Sequence, residues 1–146
     1  MRKTVVTVMA LVFVVGAALA VAEQNDGKPQ TACPVSGKPI DKAASPHVDF
    51  QGQRIYFCCD NCPAAFRKDP ESFFAKAAEA GVVFENIQTA CPVSDETLGE
   101  HEGMEPVSIQ YKGRTVKLCC AACQKPFAKD PAKYLAKLPG EQPATN

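Results

Sequence analysis

Histidine is scarce in this chain. His47 and His101 are the only two among 146 residues, and no serine–histidine–aspartate set assembles around them. No glycine-rich phosphate loop is present. The acidic residues are scattered, and Asp69 and Asp130, each followed by proline, read as helix caps. Long basic runs are missing too. Arg67-Lys68 and Lys112-x-Arg114 stand alone and read as solvated faces. Nucleic acid, usually met by a strongly basic face, is not an expected partner. Nothing here suggests catalysis, and the chain is not expected to be an enzyme.

One apolar run is present, at the start. Arg2 and Lys3 precede an apolar stretch over residues 4–19, and Ala20-Val21-Ala22 is a small-x-small cleavage site. Residues 1–22 read as a signal peptide cut after Ala22. An uncleaved anchor is the rival reading, but the run is short for a span of about 20 residues, and nothing basic follows it as a stop-transfer signal. The segment has no cysteine for lipid attachment. The expected location is periplasmic or secreted, with no membrane insertion after cleavage. Losing Arg2 and Lys3 from 16 basic residues leaves 14 against 16 acidic ones, a net charge of −2.

What the chain does have is cysteine: eight residues in one frame used twice. Cys33-Pro34-Val35-Ser36 returns as Cys91-Pro92-Val93-Ser94, and Cys58-Cys59-x-x-Cys62 returns as Cys119-Cys120-x-x-Cys123. Phe66-x-x-Asp69-Pro70 and Phe73 return as Phe127-x-x-Asp130-Pro131 and Tyr134. The offset is 58 residues at the leading cysteine and 61 from Phe50 to Phe73, so the second copy carries three extra residues between Pro92 and Ser108. His47 aligns with Ser108, and His101 lies in the stretch with the insertion, so no histidine ligand is common to both copies. His101, between Glu100 and Glu102, reads as solvated loop.

Residues 23–30 read as a flexible lead-in, 31–81 as a first module, 82–89 as a linker, 90–138 as a second module and 139–146 as a flexible tail. Within the linker, Val82-Val83-Phe84 suits a short strand or a packing contact. Each module opens on a cysteine turn. The glycine of the first turn, Gly37, is Asp95 in the second, so the second turn is free to differ. A hairpin follows, pairing 48–50 with 54–57 in one copy and 107–111 with 115–118 in the other, about Gly52 and Gly113. Short helices are expected over 61–68 and 122–129. Second helices are expected over 70–80 and 131–138, opened by Asp-Pro and closed in the first copy by Gly81. The fold class is α+β. Phe57, Phe66, Phe73 and Phe74 should form one core, and Leu118, Phe127, Tyr134 and Leu135 the other. Modules of about 50 residues bury too little apolar surface to be robust without a metal, disulfides or a partner.

Cys58 and Cys62, and likewise Cys119 and Cys123, are spaced across a strand-to-helix junction, and residues four apart share a helix face. A helix N-terminus favours thiolates. Cys33 or Cys91 supplies a third sulfur from its own turn. A turn, a hairpin and a helix converging on one ion is the logic of a treble-clef zinc site. Cys59 and Cys120 are candidate fourth ligands, although adjacent cysteines do not easily aim at one ion. A closed zinc site takes four ligands, whereas three thiolates suit a soft ion such as Cu(I). Two other readings stay open. Export permits disulfides, such as Cys33 with Cys58 or Cys62 and the symmetric pair in the second copy. Cys59-x-x-Cys62 and Cys120-x-x-Cys123 are literal C-x-x-C motifs at helix starts, but the βαβ context of a thioredoxin is missing.

Cys33-Pro34-Val35-x-Gly37, a hairpin ending Tyr56-Phe57-Cys58-Cys59-x-x-Cys62, and Phe66-x-x-Asp69-Pro70 together resemble the TRASH/YHS family of small cysteine-rich modules, over nearly all of both copies. The resemblance implies two treble-clef-like modules whose ligands are Cys33, Cys58 and Cys62, then Cys91, Cys119 and Cys123. It also implies an association with heavy-metal trafficking, resistance and sensing. The expectation is therefore an exported protein that binds Zn2+ or Cu+. It would act in sequestration, trafficking or resistance, with a membrane metal exporter or another periplasmic protein as partner. A disulfide- or zinc-stabilised protein-interaction module is the alternative, and a thiol oxidoreductase a third reading.

Overall fold

The computed structural model describes residues 27–100 and 105–143. The expected signal peptide and His101 lie outside them. The architecture is small and mixed, with short strands, short helices and two cysteine clusters, as an α+β class requires.

In the first copy, polar and apolar residues alternate through β2 (His47–Phe50), which pairs antiparallel with β3 (Gln53–Tyr56), and the pair turns Val48, Phe50 and Ile55 inward. Two residues, Gln51 and Gly52, make the turn with φ of 44° and 77°. Positive φ at both positions matches the twist of the flanking strands. In the second copy, β6 (Val107–Tyr111) and β7 (Arg114–Leu118) repeat the hairpin, with Lys112 and Gly113 at 47° and 76°. The turns are tighter than expected, so Gln53 and Arg114 belong to strands.

Each hairpin feeds a helix pair. In the first copy these are α1 (Cys62–Lys68) and α2 (Pro70–Glu79), with Asp69 accepting a hydrogen bond from the Ser72 N–H. The second copy enters through a 3-10 turn, Ala121–Cys123, before α3 (Gln124–Lys129) and α4 (Pro131–Leu135), with Asp130 accepting from the Lys133 N–H. Proline is tolerated only in the first turn of an α-helix. Pro126 therefore places the start of α3 later than that of α1. The fourth helix stops at Leu135, short of the expected 138, and the chain runs on to Leu138 through tighter turns in which Lys137 N donates to Tyr134 O and Leu138 N to Leu135 O.

The lead-in and the tail, both read as flexible, are partly built into the fold, and so is the linker, whose Val82-Val83 forms the short strand its sequence suits. From the lead-in, β1 (Lys28–Pro29) pairs in parallel with β4 (Val82–Val83), and Gln30 is buried. From the linker, β5 (Glu85–Asn86) pairs with β3. From the tail, Pro139 and Glu141 hydrogen-bond to the first hairpin: Gly52 N to Pro139 O at 2.8 Å, Gln51 N to Glu141 O at 3.2 Å and Glu141 N to Asp49 O at 2.7 Å. Arg67 adds two bonds of 2.6 Å to the Glu141 carboxylate. Polar composition says nothing about backbone groups, and β2 is an edge strand with open ones for the tail to meet.

Phe57, Phe66 and Phe74 are fully buried as expected, joined by Phe50, Ile55 and Phe84, while Phe73 packs at the margin. In the second core Leu118, Phe127 and Leu135 are buried, with Tyr134 at the margin. The modules dock reciprocally by their hairpin turns. Gly52 lies against Leu138, and Gly113 lies against the Phe74 backbone. Arg114 is wholly buried, its guanidinium 3.9 Å from the Phe74 ring centroid and 2.6 Å from Glu71 Oε1. Among the described residues no helix is long and apolar enough to cross a membrane.

Candidate metal centres

The leading cysteine of each copy is fixed by its own turn. Cys33 N donates to Lys38 O and Gly37 N to Cys33 O, each at 2.8 Å. Cys91 N donates to Glu96 O at 2.8 Å and Asp95 N to Cys91 O at 2.9 Å. The second turn thus repeats the first. Asp95 adopts φ 62° where Gly37 has 70°, a left-handed conformation that aspartate tolerates better than most residues. Lys137 holds its carboxylate at 2.8 Å.

A buried glutamine ties this turn to the end of the hairpin. The Gln30 amide donates to Ala32 O and to Tyr56 O, at 3.0 and 2.7 Å, and its oxygen accepts from Tyr56 N at 3.0 Å. Gln88 repeats the arrangement with Ala90 O, Lys117 O and Lys117 N, at 3.4, 3.1 and 2.9 Å. Each glutamine thereby links the residue before the leading cysteine to the strand end two residues before the cysteine cluster. Sequence reading missed both. The signal was available: Gln30-Thr31-Ala32 and Gln88-Thr89-Ala90 extend the repeat three residues upstream, into segments assigned to lead-in and linker.

With turn, strand end and helix start so placed, the Sγ atoms of Cys33, Cys58 and Cys62 lie within 4.8 Å of one another, and so do those of Cys91, Cys119 and Cys123. Cys58 and Cys62 are 3.7 Å apart, and Cys119 and Cys123 are 3.6 Å apart. The repeated serine of each leading turn approaches the cluster, Ser36 Oγ at 3.1 Å from Cys58 Sγ and Ser94 Oγ at 3.3 Å from Cys119 Sγ. Cys59 is 3.5 Å from Cys62 and 3.9 Å from Cys58, and Cys120 is 4.0 Å from Cys123 and 3.8 Å from Cys119. Neither belongs to its triad. His47 belongs to neither group and instead packs on the Tyr56 ring.

The thiols within a cluster are not equivalent. Burial opposes the Cys33 thiolate, but hydrogen bonds from the Ser36 hydroxyl and from backbone N–H groups of Cys58, Ser36 and Val35 outweigh it and bring the pKa down to about 6. Burial likewise opposes the Cys91 thiolate, and backbone groups of Cys119 and Ser94 bring it to about 7. Cys62 is pushed up to about 12 by its hydrogen bond with Cys59 and by burial. Burial and then Cys119 push Cys123 up. In each cluster the leading cysteine is thus the more acidic thiol and the cysteine at the helix start the one that holds its proton most tightly, and a cation that enters must displace that proton.

No protein-family model, curated protein or solved structure matches the chain significantly. Two triads of sulfur close enough to hold a metal ion are what the geometry itself provides.

Proposed function

We propose that the chain is an exported metal-binding protein of the TRASH/YHS kind. Each treble-clef-like module holds one soft or borderline ion, Zn2+ or Cu+, and the protein serves in sequestration, trafficking or resistance rather than catalysis. The observation that carries this reading is the convergence of three sulfurs from the same three elements in both copies. Tetrahedral thiolates at a Zn–S distance of about 2.3 Å stand about 3.8 Å apart. The 3.7 and 3.6 Å separations suit that shell. An all-sulfur donor set selects copper(I) or zinc over hard cations. Export follows from the N-terminal segment, and a membrane exporter or a second periplasmic protein would receive the ion.

A cargo site and a purely structural site make opposite predictions for a chelator. The aromatic core beside Cys33 and Cys62 and the docking of one module on the other support folding without the ion. A competing chelator should therefore strip the metal reversibly while the circular dichroism of the chain stays native. Unfolding in step with metal loss would make binding energy folding energy and would favour the structural alternative.

A further inference from the structure

The two triads differ in access. Cys33 and Cys62 are buried but Cys58 is half-buried, whereas Cys91, Cys119 and Cys123 are all buried. The neighbouring sulfur differs in the same sense, with Cys59 exposed and Cys120 half-buried. Cys59 reaches two triad sulfurs, Cys62 at 3.5 Å and Cys58 at 3.9 Å, and stands on their solvent side without joining the group that includes Cys33. A thiol so placed can touch an ion outside the protein and an ion in the triad.

We propose that Cys59 is the capture and release ligand of the first module, which exchanges its ion with solution or a partner, while the second module retains its ion. The proposal rests on the metal-binding reading above. The step is ligand substitution. An ion held by a thiolate-bearing donor forms a bond to Cys59 Sγ as one donor bond breaks. Bonds to Cys62 and Cys58 then form, the remaining donor bonds break, and Cys33 completes the triad as Cys59 is set free. Each cysteine that ligates gives its proton to water, Cys59 takes one back from water when it leaves the ion, each donor thiolate leaves with its electron pair, and no electron is transferred. Release runs the same path backwards. The second module lacks a fully exposed sulfur beside its triad, so its ion has no comparable route.

Stopped-flow transfer tests this with the mature chain loaded with zinc and mixed with excess pyridylazoresorcinol, or loaded with copper(I) and mixed with bathocuproine disulfonate. The wild type should release one ion fast and one slowly. Cys123→Ser should keep the fast phase. Cys59→Ser and Cys59→Ala should still bind two ions per chain, with the fast phase slowed roughly tenfold, equivalent to about 1.4 kcal/mol in the barrier. Cys120→Ser should leave the fast phase unchanged. An unaltered fast phase in both Cys59 variants would overturn the proposal. So would binding of a single ion, which would make Cys59 a resident fourth ligand. A wild type that takes up neither metal would instead refute the metal-binding reading itself.

Discussion

The two modules use one cysteine frame to make two different environments. Both place a thiol turn, a hairpin end and a helix start around a point, and both fix the first two with a buried glutamine. The first surrounds its site with phenylalanines and leaves part of the sulfur cluster open. The second packs leucine, valine and tyrosine around Phe127, starts its helix with a 3-10 turn, and buries all three residues of its triad. What the copies share specifies ligand geometry, and what they do not share specifies access. The repeat explains the first property, and only the divergence explains the second.

The largest effects should come from the triads. Cys62→Ser and Cys123→Ser should each lower the bound metal from two ions per chain to one, read by elemental analysis, while the other site stays loaded. Loss of both ions from either change would show one site bridging the copies and would end the comparison.

The contact between modules comes next. Arg114 occupies the place that Gln53 holds in the first copy, yet it is buried against Phe74 with Glu71 as its charged partner. Arg114→Ala opens a void and strands that contact, and should cost about 3 kcal/mol in denaturant unfolding. Gln53→Ala removes an amide bond to Thr115 O and should cost about 1 kcal/mol. A reversed order would mean that Arg114 does not hold the modules together. The paired turns sharpen this further. A Cβ at Gly113 would collide with the Phe74 carbonyl, whereas one at Gly52 meets side chains alone, Gln88 at 3.0 Å and Leu138 at 3.4 Å. Gly113→Ala should therefore destabilise more than Gly52→Ala, by about 1 kcal/mol or more once strain at the backbone is counted.

The leading turns should show a smaller difference. Gly37→Asp places a side chain at φ 70° and should cost about 1 kcal/mol. Asp95→Gly removes that strain but also the exposed Lys137 contact, so it should be nearly neutral.

The smallest effect is the pH response of the docked tail. The hydrogen bonds from Arg67 hold the Glu141 carboxyl below its ordinary range. Its contribution is present above the unfolded carboxylate pKa and disappears as pH falls through the depressed folded value. Because both side chains are more than a third exposed, it should not exceed about 1 kcal/mol. Arg67→Ala should flatten the acid limb of the stability profile by that amount.

Much of this was legible in the sequence because it depends on local chemistry. The repeated cysteines, the Asp-Pro caps and the X-Gly turns each dictate their own geometry, and Cys33, Cys58 and Cys62 meet with their counterparts doing the same. The missing parts depend on partners distant in sequence. Gln30 and Gln88 look like polar spacer until the strand ends they clamp are known. Arg114 looks like a solvated charge until Phe74 covers it. Glu141 looks like tail until β2 offers it a free edge. The equivalence of Asp95 and Gly37 was hidden by residue type, since the turn requires a left-handed conformation and aspartate can supply it.

Metal content together with a free-thiol count, on the mature chain purified from a periplasm without added reductant, would show whether both sulfur clusters hold metal. Two loaded triads should give about two ions per chain, with thiols that stay unreactive until a chelator is added and then titrate. A chain with neither metal nor free thiols would be a disulfide scaffold and would contradict the metal-binding reading.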